Sequence, residues 1–299
     1  MFKDHHPNYF HTSSGVRIFY STNFNISSKK QHKPVLVFNY GLVCNNNHWQ
    51  YQYEYFDKLN YNILLHDYRC HFNSSGKQSV SSCTFSNITQ DIYELVTHLN
   101  LKKIILLGHS MGVNLSLEYA KKHPARVMAM ILISGTIESP REVMFDSNII
   151  DVTLPYIEWL VSNYPNIFNV VWKTGFLNPL FSRAVHTTGF NPKQVSKDFV
   201  EIYLKKISEL PYSVFFKLFK EMHNHNFIKN LEDIEKPTLI IGGDNDKIIP
   251  NYLQFDLHKK IKNSEFYRIK DGSHVPQVDF PDMINERILE FISGINYEY

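Results

Sequence analysis

Ser110, Asp246 and His274 occur in that order in a chain of 299 residues, each just beyond a short apolar run. These three residue types can together perform nucleophilic attack on an acyl carbon. A serine hydroxyl is a poor nucleophile until a base takes its proton during attack. A histidine can be that base near neutral pH, and a carboxylate on its other ring nitrogen holds the tautomer and stabilises the imidazolium. Ser110 lies at the centre of Gly108-His109-Ser110-Met111-Gly112, between the apolar run Ile104-Ile105-Leu106-Leu107 and a helical pattern through Leu115, Leu117, Glu118, Tyr119 and Ala120. G-x-S-x-G between a strand and a helix is the setting of a nucleophile elbow. Its glycines let strand and helix approach closely while the serine takes a strained backbone, and the helix N-terminus points at the developing anion.

Positioning such groups requires a repeating framework, and the chain supplies one. Residues 8–24 alternate around Ser13-Ser14-Gly15 and read as a β-hairpin. Val35-Leu36-Val37-Phe38, Tyr61 to Leu65, Ile104 to Leu107 and Val127 to Ile133 are continuous apolar runs, as expected of strands buried on both faces. Between them, Trp49, Tyr53 and Phe56 mark one helix behind the caps Asn45-Asn46-Asn47. Ile88, Ile92, Leu95, Val96 and Leu99 mark another. Strands alternating with helices argue an α/β fold: a mostly parallel central sheet with helices on both faces.

The alternation stops near residue 136 and resumes at Pro237. The intervening segment is helical and aromatic, with Trp159, Trp172, Phe176, Phe181, Phe215, Phe216 and Phe219, and is punctuated by Pro140, Pro155, Pro165, Pro179, Pro192 and Pro211. It is expected to form a helical cap (lid) over the sheet, residues 136–230, inserted into a core domain made of 1–135 and 231–299. Such a cap buries one face against the core and lines a cavity with aromatic side chains suited to an apolar group. After it come the strand Thr238 to Ile241, the loop Gly242-Gly243-Asp244-Asn245-Asp246, the strand Glu265 to Ile269, the loop Asp271-Gly272-Ser273-His274 and a last helix through Ile284, Ile288 and Ile292.

Composition narrows the class. Hydrophobic residues at 43% and charged residues at 20% describe an ordinary globular chain, and a net charge of +2 without basic runs argues against a nucleic-acid surface. No apolar stretch is long enough for a membrane span, and the polar stretch Met1 to Phe10 does not read as a secretory signal. Cys44, Cys70 and Cys83 lack metal-ligand spacing and suggest reduced thiols in a cytoplasmic setting.

Three segments resemble the α/β-hydrolase superfamily, in its order and over nearly the whole chain. They are Gly108-His109-Ser110-Met111-Gly112, Gly243-Asp244-Asn245-Asp246 with Pro250, and His274-Val275-Pro276 followed by Asp279 and Pro281. The resemblance implies Ser110 as nucleophile, His274 as base and Asp246 as its orienting acid; the spacing from Gly243 favours Asp246 over Asp244. It also implies an oxyanion hole formed by the backbone N–H groups of Leu42 and Met111. Tyr40-Gly41 stands where the family usually has His-Gly. The loop often written D-x-R-G-x-G-x-S is Asp67-Tyr68-Arg69-Cys70-His71-Phe72-Asn73-Ser74, and Val113 replaces a frequent glycine after the elbow. These departures bear on the shape of the acyl pocket and remove no group the chemistry requires.

Other candidates carry less. The side chain of His109 is expected to point away from Ser110 and play a supporting part. Glu138 and Asp146 are alternative acids. His5-His6 and His223-Asn224-His225 lack the companion ligands of a metal site and read as polar surface. Cys44 and Cys70 read as spectator thiols. The expectation is a cytoplasmic serine hydrolase acting on a small or medium ester, with a small-molecule acyl substrate and water as its partners and neither metal nor cofactor. The same triad also serves carbon–carbon bond hydrolases, thioesterases and amidases, and the fold also occurs in ligand-binding proteins without catalysis.

Overall fold

The structure is a computed structural model and describes residues 6–24, 33–74, 76, 78–139, 144–225 and 231–295. His5, Ser75 and Pro140 lie outside the described residues. The hairpin expected around Ser13 forms from β1 (His6–His11) and β2 (Arg17–Thr22). The apolar runs become β3 (Val35–Asn39), β4 (Asn62–His66), β5 (Ile104–His109), β6 (Val127–Ile133) and, further on, β7 (Thr238–Gly243). Between them lie α1 (Gln50–Lys58), α2 (Phe85–His98) and α3 (Met111–Lys122). The Asn45 side chain accepts from the N–H of Asn47 and opens the short 3₁₀ turn that leads into α1. Thr84 caps α2 in the same way, through the N–H of Asn87.

Five helices follow β6: α4 (Ile149–Asn163), α5 (Pro165–Thr174), α6 (Pro179–Gly189), α7 (Lys197–Ile207) and α8 (Tyr212–His223). Pro165 and Pro179 stand at first helical positions, where the missing N–H costs nothing. Pro155 differs from the expected punctuation, since it sits inside α4 and deletes one of its hydrogen bonds. Chain order then continues with β7, α9 (Asn251–Lys260), β8 (Ser264–Ile269), α10 (Pro276–Asp279) and α11 (Pro281–Ser293). The sequence does not announce α9: Leu253 and Leu257 face the core, but Tyr252 and Phe255 fall on the exposed side and blur the period.

Among the described residues eight strands form one sheet in the order β1-β2-β4-β3-β5-β6-β7-β8, antiparallel at β1, β2 and β4 and parallel from β4 onward. This is the expected α/β architecture, with helices on both faces. The parallel strands all end at the same edge. That edge therefore collects the loops after β3, β5, β7 and β8, which carry Leu42, Ser110, Asp246 and His274.

Two buried polar systems fix the strands that flank the site. His66 Nε2 bonds the Asn39 side-chain oxygen at 3.1 Å, Asn39 Nδ2 donates to Ser116 Oγ at 3.0 Å, and Ser116 donates to the Gly112 carbonyl at 2.7 Å. That chain ties β4 to β3 and both to α3. Arg69, just after β4, makes a two-pronged contact with Asp91 of α2 at 2.6 and 2.7 Å, with both side chains 5% exposed. Removing one partner of such a pair leaves a buried charge without its counter-ion. Asp91→Ala is expected to destabilise the protein by about 3–5 kcal/mol, read from the urea midpoint; a change near zero would show that Arg69 is not left as an uncompensated buried charge.

Candidate active site

Ser110 is the residue at which β5 turns into α3, with φ 52° and ψ −119°. A non-glycine residue pays strain for positive φ, and the surroundings hold it there. Its N–H donates to the Ile133 carbonyl at 2.9 Å, and its own carbonyl accepts from the N–H of Val113. The flanking glycines are sterically obligatory. A Cβ at Gly108 would lie 2.5 Å from the Gly112 carbonyl oxygen, and one at Gly112 would lie 2.1 Å from the Asn39 carbonyl oxygen.

The loop after β3 lies directly against the serine. A Cβ at Gly41 would sit 2.9 Å from Ser110 Cβ, which brings the Gly41-Leu42 backbone beside the elbow. Met111 opens α3, so its N–H has no acceptor one turn back in the helix. The Met111 side chain is buried in the core, whereas Leu42 lines the cavity described below. Tyr40 and Tyr68 brace this loop reciprocally: the Tyr68 N–H donates to the Tyr40 hydroxyl at 3.0 Å, and the Tyr68 hydroxyl donates to the Tyr40 carbonyl at 2.8 Å.

The residues that replace family glycines keep the backbone that glycine would allow. Cys70 has φ 64° and Phe72 has φ 35°. Asp67 helps to hold their loop by accepting from the backbone N–H and the side-chain amide of Asn73. Val113 fits because a glycine faces it: a Cβ at Gly135 would come within 2.4 Å of the Val113 side chain.

His274 Nδ1 lies 2.9 and 3.2 Å from the two carboxylate oxygens of Asp246. Because a carboxylate accepts only, Nδ1 carries the proton and Nε2 keeps its lone pair. Asp246 is held in turn by the N–H groups of Ile248 and Ile249, both at 2.9 Å, and its side chain is fully buried. His274 and Ser110 line the same cavity. Asp279 clamps the histidine loop: its carboxylate accepts from the N–H of Ser273 at 2.7 Å and from the N–H of Asn191, in the helical segment, at 3.0 Å.

The competing candidates are occupied elsewhere. Asp244 accepts from the N–H of Asp271, and Glu138 pairs with Lys260 at the surface. His109 donates from Nε2 to the His274 carbonyl at 2.9 Å, as a supporting residue would, although its ring also lines the cavity. Burial, followed by His274 and His48, holds its pKa well below the ordinary range. His223 bonds Ser139 within the helical segment, and His225 bonds Glu118, which ties the end of that segment to the core.

The cavity has a volume of about 510 Å³. Its walls are aromatic, as the composition of the helical segment leads one to expect. Phe168, Trp172, Phe176, Phe181, Phe215 and Phe216 belong to them, and the Trp172 N–H is spent on the Leu210 carbonyl, leaving an apolar ring face. Trp159 is not part of the wall and is 57% exposed. His48 and Tyr203 drew no notice in the sequence because neither belongs to a local motif. They meet at Cys44, whose Sγ lies 3.7 Å from His48 Nε2 and 3.8 Å from the Tyr203 hydroxyl. Burial pushes the Cys44 thiol up to about 12, which keeps it a spectator at neutral pH.

The family model for the alpha/beta hydrolase fold matches residues 34–281. An uncharacterized hydrolase of Bacillus subtilis is 25% identical over 226 residues, covering 74% of this chain and 77% of its own. A proline iminopeptidase of Saccharolobus solfataricus is 26% identical over 247 residues, covering 80% and 79%. Among solved structures, an esterase from Exiguobacterium antarcticum superposes with a TM-score of 0.77 at 18% identity, over 96% of this chain and 99% of that one. At that identity the structural likeness carries the fold alone.

Two outcomes follow from this geometry. Gly41→Ala forces a methyl group against Ser110 and is expected to lower kcat on any substrate of the site by about tenfold or more, with a smaller loss of thermal stability; unchanged turnover would separate the loop from the chemistry. The buried histidines make stability pH-dependent. Burial, helped at His48 by His274, lowers His48 to about 3 and His66 and His71 to about 4, and burial holds His109 well below the ordinary range. Their folded pKa values lie below the unfolded value of about 6.5, so their contribution is whole above that pH and is lost as pH falls toward about 4. Asp67, pushed up to about 6 by burial, opposes this, as do Asp91 and Asp279, which burial also raises. Urea midpoints are expected to fall between neutral pH and about pH 4.5; a rise would reverse the assignment.

Proposed function

The chain belongs to the alpha/beta hydrolase family, and from that premise we propose that it is a serine hydrolase cleaving a small or medium apolar carboxylic ester through an acyl-enzyme. The observation that carries this reading is the pairing of His274 Nδ1 with buried Asp246, with His274 and the strained Ser110 opening into one apolar cavity.

In the proposed reaction Ser110 Oγ bonds to the carbonyl carbon while its proton passes to His274 Nε2. The N–H groups of Leu42 and Met111 receive the oxyanion, a contribution of about 3–4 kcal/mol for one such donor in comparable enzymes. Collapse breaks the carbon–oxygen bond to the alcohol, which leaves with the proton from His274. Water then attacks the acyl-enzyme, giving its proton to His274; the acid departs and Ser110 regains its hydrogen. Asp246 fixes the tautomer and stabilises the imidazolium without taking the proton.

The cavity lining supports a neutral ester. Among the described residues it contains no Asp, Glu, Lys or Arg, so a charged substrate end would lose its hydration without gaining a partner. Residues 136–230 act in this reading as a cap that completes the cavity over a core made of 1–135 and 231–299. Their helices supply most of its wall, and Asn191 and His225 fasten them to the core. A reducing cytoplasmic compartment fits the three cysteines, which are free and buried.

A fluorophosphonate probe is expected to label Ser110, and Ser110→Ala to abolish both labelling and hydrolysis of p-nitrophenyl esters while leaving the circular dichroism unchanged. Asp246→Asn is expected to lower kcat by about 10⁴ through the wrong histidine tautomer. Tight small-molecule binding without labelling would instead make this a ligand-binding member of the fold.

A further inference from the structure

Helix α7 carries Val200, Tyr203, Leu204 and Ile207 at helical spacing, with Asp198, Glu201, Lys205 and Lys206 on its other positions. Val200 and Leu204 are buried with Phe190 and Val195 in a small second core, and Tyr203, Leu204 and Ile207 line the cavity. Tyr203 is the one residue of that apolar stripe that brings a hydroxyl. Its ring is held by other rings: it meets His48 edge-on at 4.7 Å and Phe190 at 5.3 Å, and His48 stacks in turn on His109.

The other hydroxyl and N–H groups of the lining side chains, apart from Ser110 and His274, are spent on backbone carbonyls. Thr153 donates to Ile149 at 2.7 Å, Thr188 to Ala184 at 2.8 Å and Ser208 to Lys205 at 2.6 Å. The Trp172 and His109 N–H groups are used in the same way. The Tyr203 hydroxyl has no such acceptor; among the described residues its partner is Cys44 Sγ at 3.8 Å. Sulfur is a weak acceptor, and a hydroxyl in an apolar cavity without a full partner costs free energy that a bound oxygen would recover. Burial, with Cys44 beside it, holds the Tyr203 hydroxyl well above its ordinary pKa, so it keeps its proton and remains a donor. The lining has no Lys or Arg among the described residues to match an anionic oxygen, so the acceptor that fits is neutral.

We propose that Tyr203 determines specificity: its hydroxyl donates to a second, neutral oxygen of the substrate, an ether or ketone oxygen away from the scissile bond. The preferred ester then carries one such oxygen in an otherwise apolar chain. The class of molecule rests on the ester reading, whereas the contact itself needs only the cavity. A single placed donor in an apolar pocket fixes the orientation of what binds there, and a site that bonds an oxygen discriminates against the analogue lacking it.

The test measures binding without turnover, in the full chain carrying Ser110→Ala, by tryptophan fluorescence, since Trp172 stands in the wall. The probes are butyl hexanoate and analogues in which an ether oxygen or a ketone carbonyl replaces one methylene of either chain. At least one analogue is expected to lose about fivefold or more in affinity when Tyr203→Phe is added, while butyl hexanoate changes by less than about twofold. In the protein that keeps Tyr203, that analogue is expected to bind at least as tightly as butyl hexanoate, because its oxygen retains a partner. Circular dichroism with a thermal midpoint verifies that the double variant folds. Equal losses across the panel, weaker binding of every analogue than of butyl hexanoate in both proteins, or no binding of any probe overturns the proposal. Fluorophosphonate labelling of the native chain reads the ester chemistry separately. Labelling beside equal losses would leave the hydrolase standing without this contact, and Tyr203-dependent affinity without labelling would keep the contact in a ligand-binding cavity.

Discussion

The contact between the first turn of α3 and the end of β3 is the constraint on which the rest of the site depends. At Gly112 a single added carbon would meet the Asn39 carbonyl at 2.1 Å, so helix and strand touch backbone to backbone. That closeness holds Ser110 at positive φ and places the Gly41-Leu42 loop against it. The polar chain through Asn39, Ser116 and the Gly112 carbonyl occupies the same seam. Interiors are packed too tightly for such a seam to widen without loss elsewhere, so the serine's geometry is a property of the whole sheet edge.

The replaced glycines show the same logic from the opposite direction. Cys70 and Phe72 adopt left-handed backbone that a glycine would take without strain. Tyr40 and Tyr68, which hydrogen-bond each other's backbone across the loop, and the Arg69–Asp91 pair hold that segment in place. The conformation is conserved through surrounding contacts although the residue that usually permits it is absent. At Val113 the compensation is one of volume, with Gly135 opposite it supplying the space.

The helical segment answers to two solvents. Its inner side lines a cavity without Asp, Glu, Lys or Arg among the described residues, and its outer side keeps large apolar residues exposed. Asp279, which accepts from both the histidine loop and Asn191, couples the position of these helices to the position of His274.

Local sequence determined the framework. Continuous apolar runs are buried whichever partner they find, so β3 to β7 and the helices between the early strands were legible from periodicity. The order of Ser110, Asp246 and His274 at strand ends marked the candidate site because parallel strands share one edge. Helix α9 and the interior position of Pro155 escaped, since a weak period and a tolerated proline leave no local trace. Only tertiary structure decided what Asp244 and Asp279 do, and that His48, Cys44 and Tyr203 meet beside the cavity. It also decided that the aromatic segment turns Trp172 inward and Trp159 outward. Each of these is a contact between residues distant in the chain or a choice between two apolar faces of one helix, and neither is written in local composition.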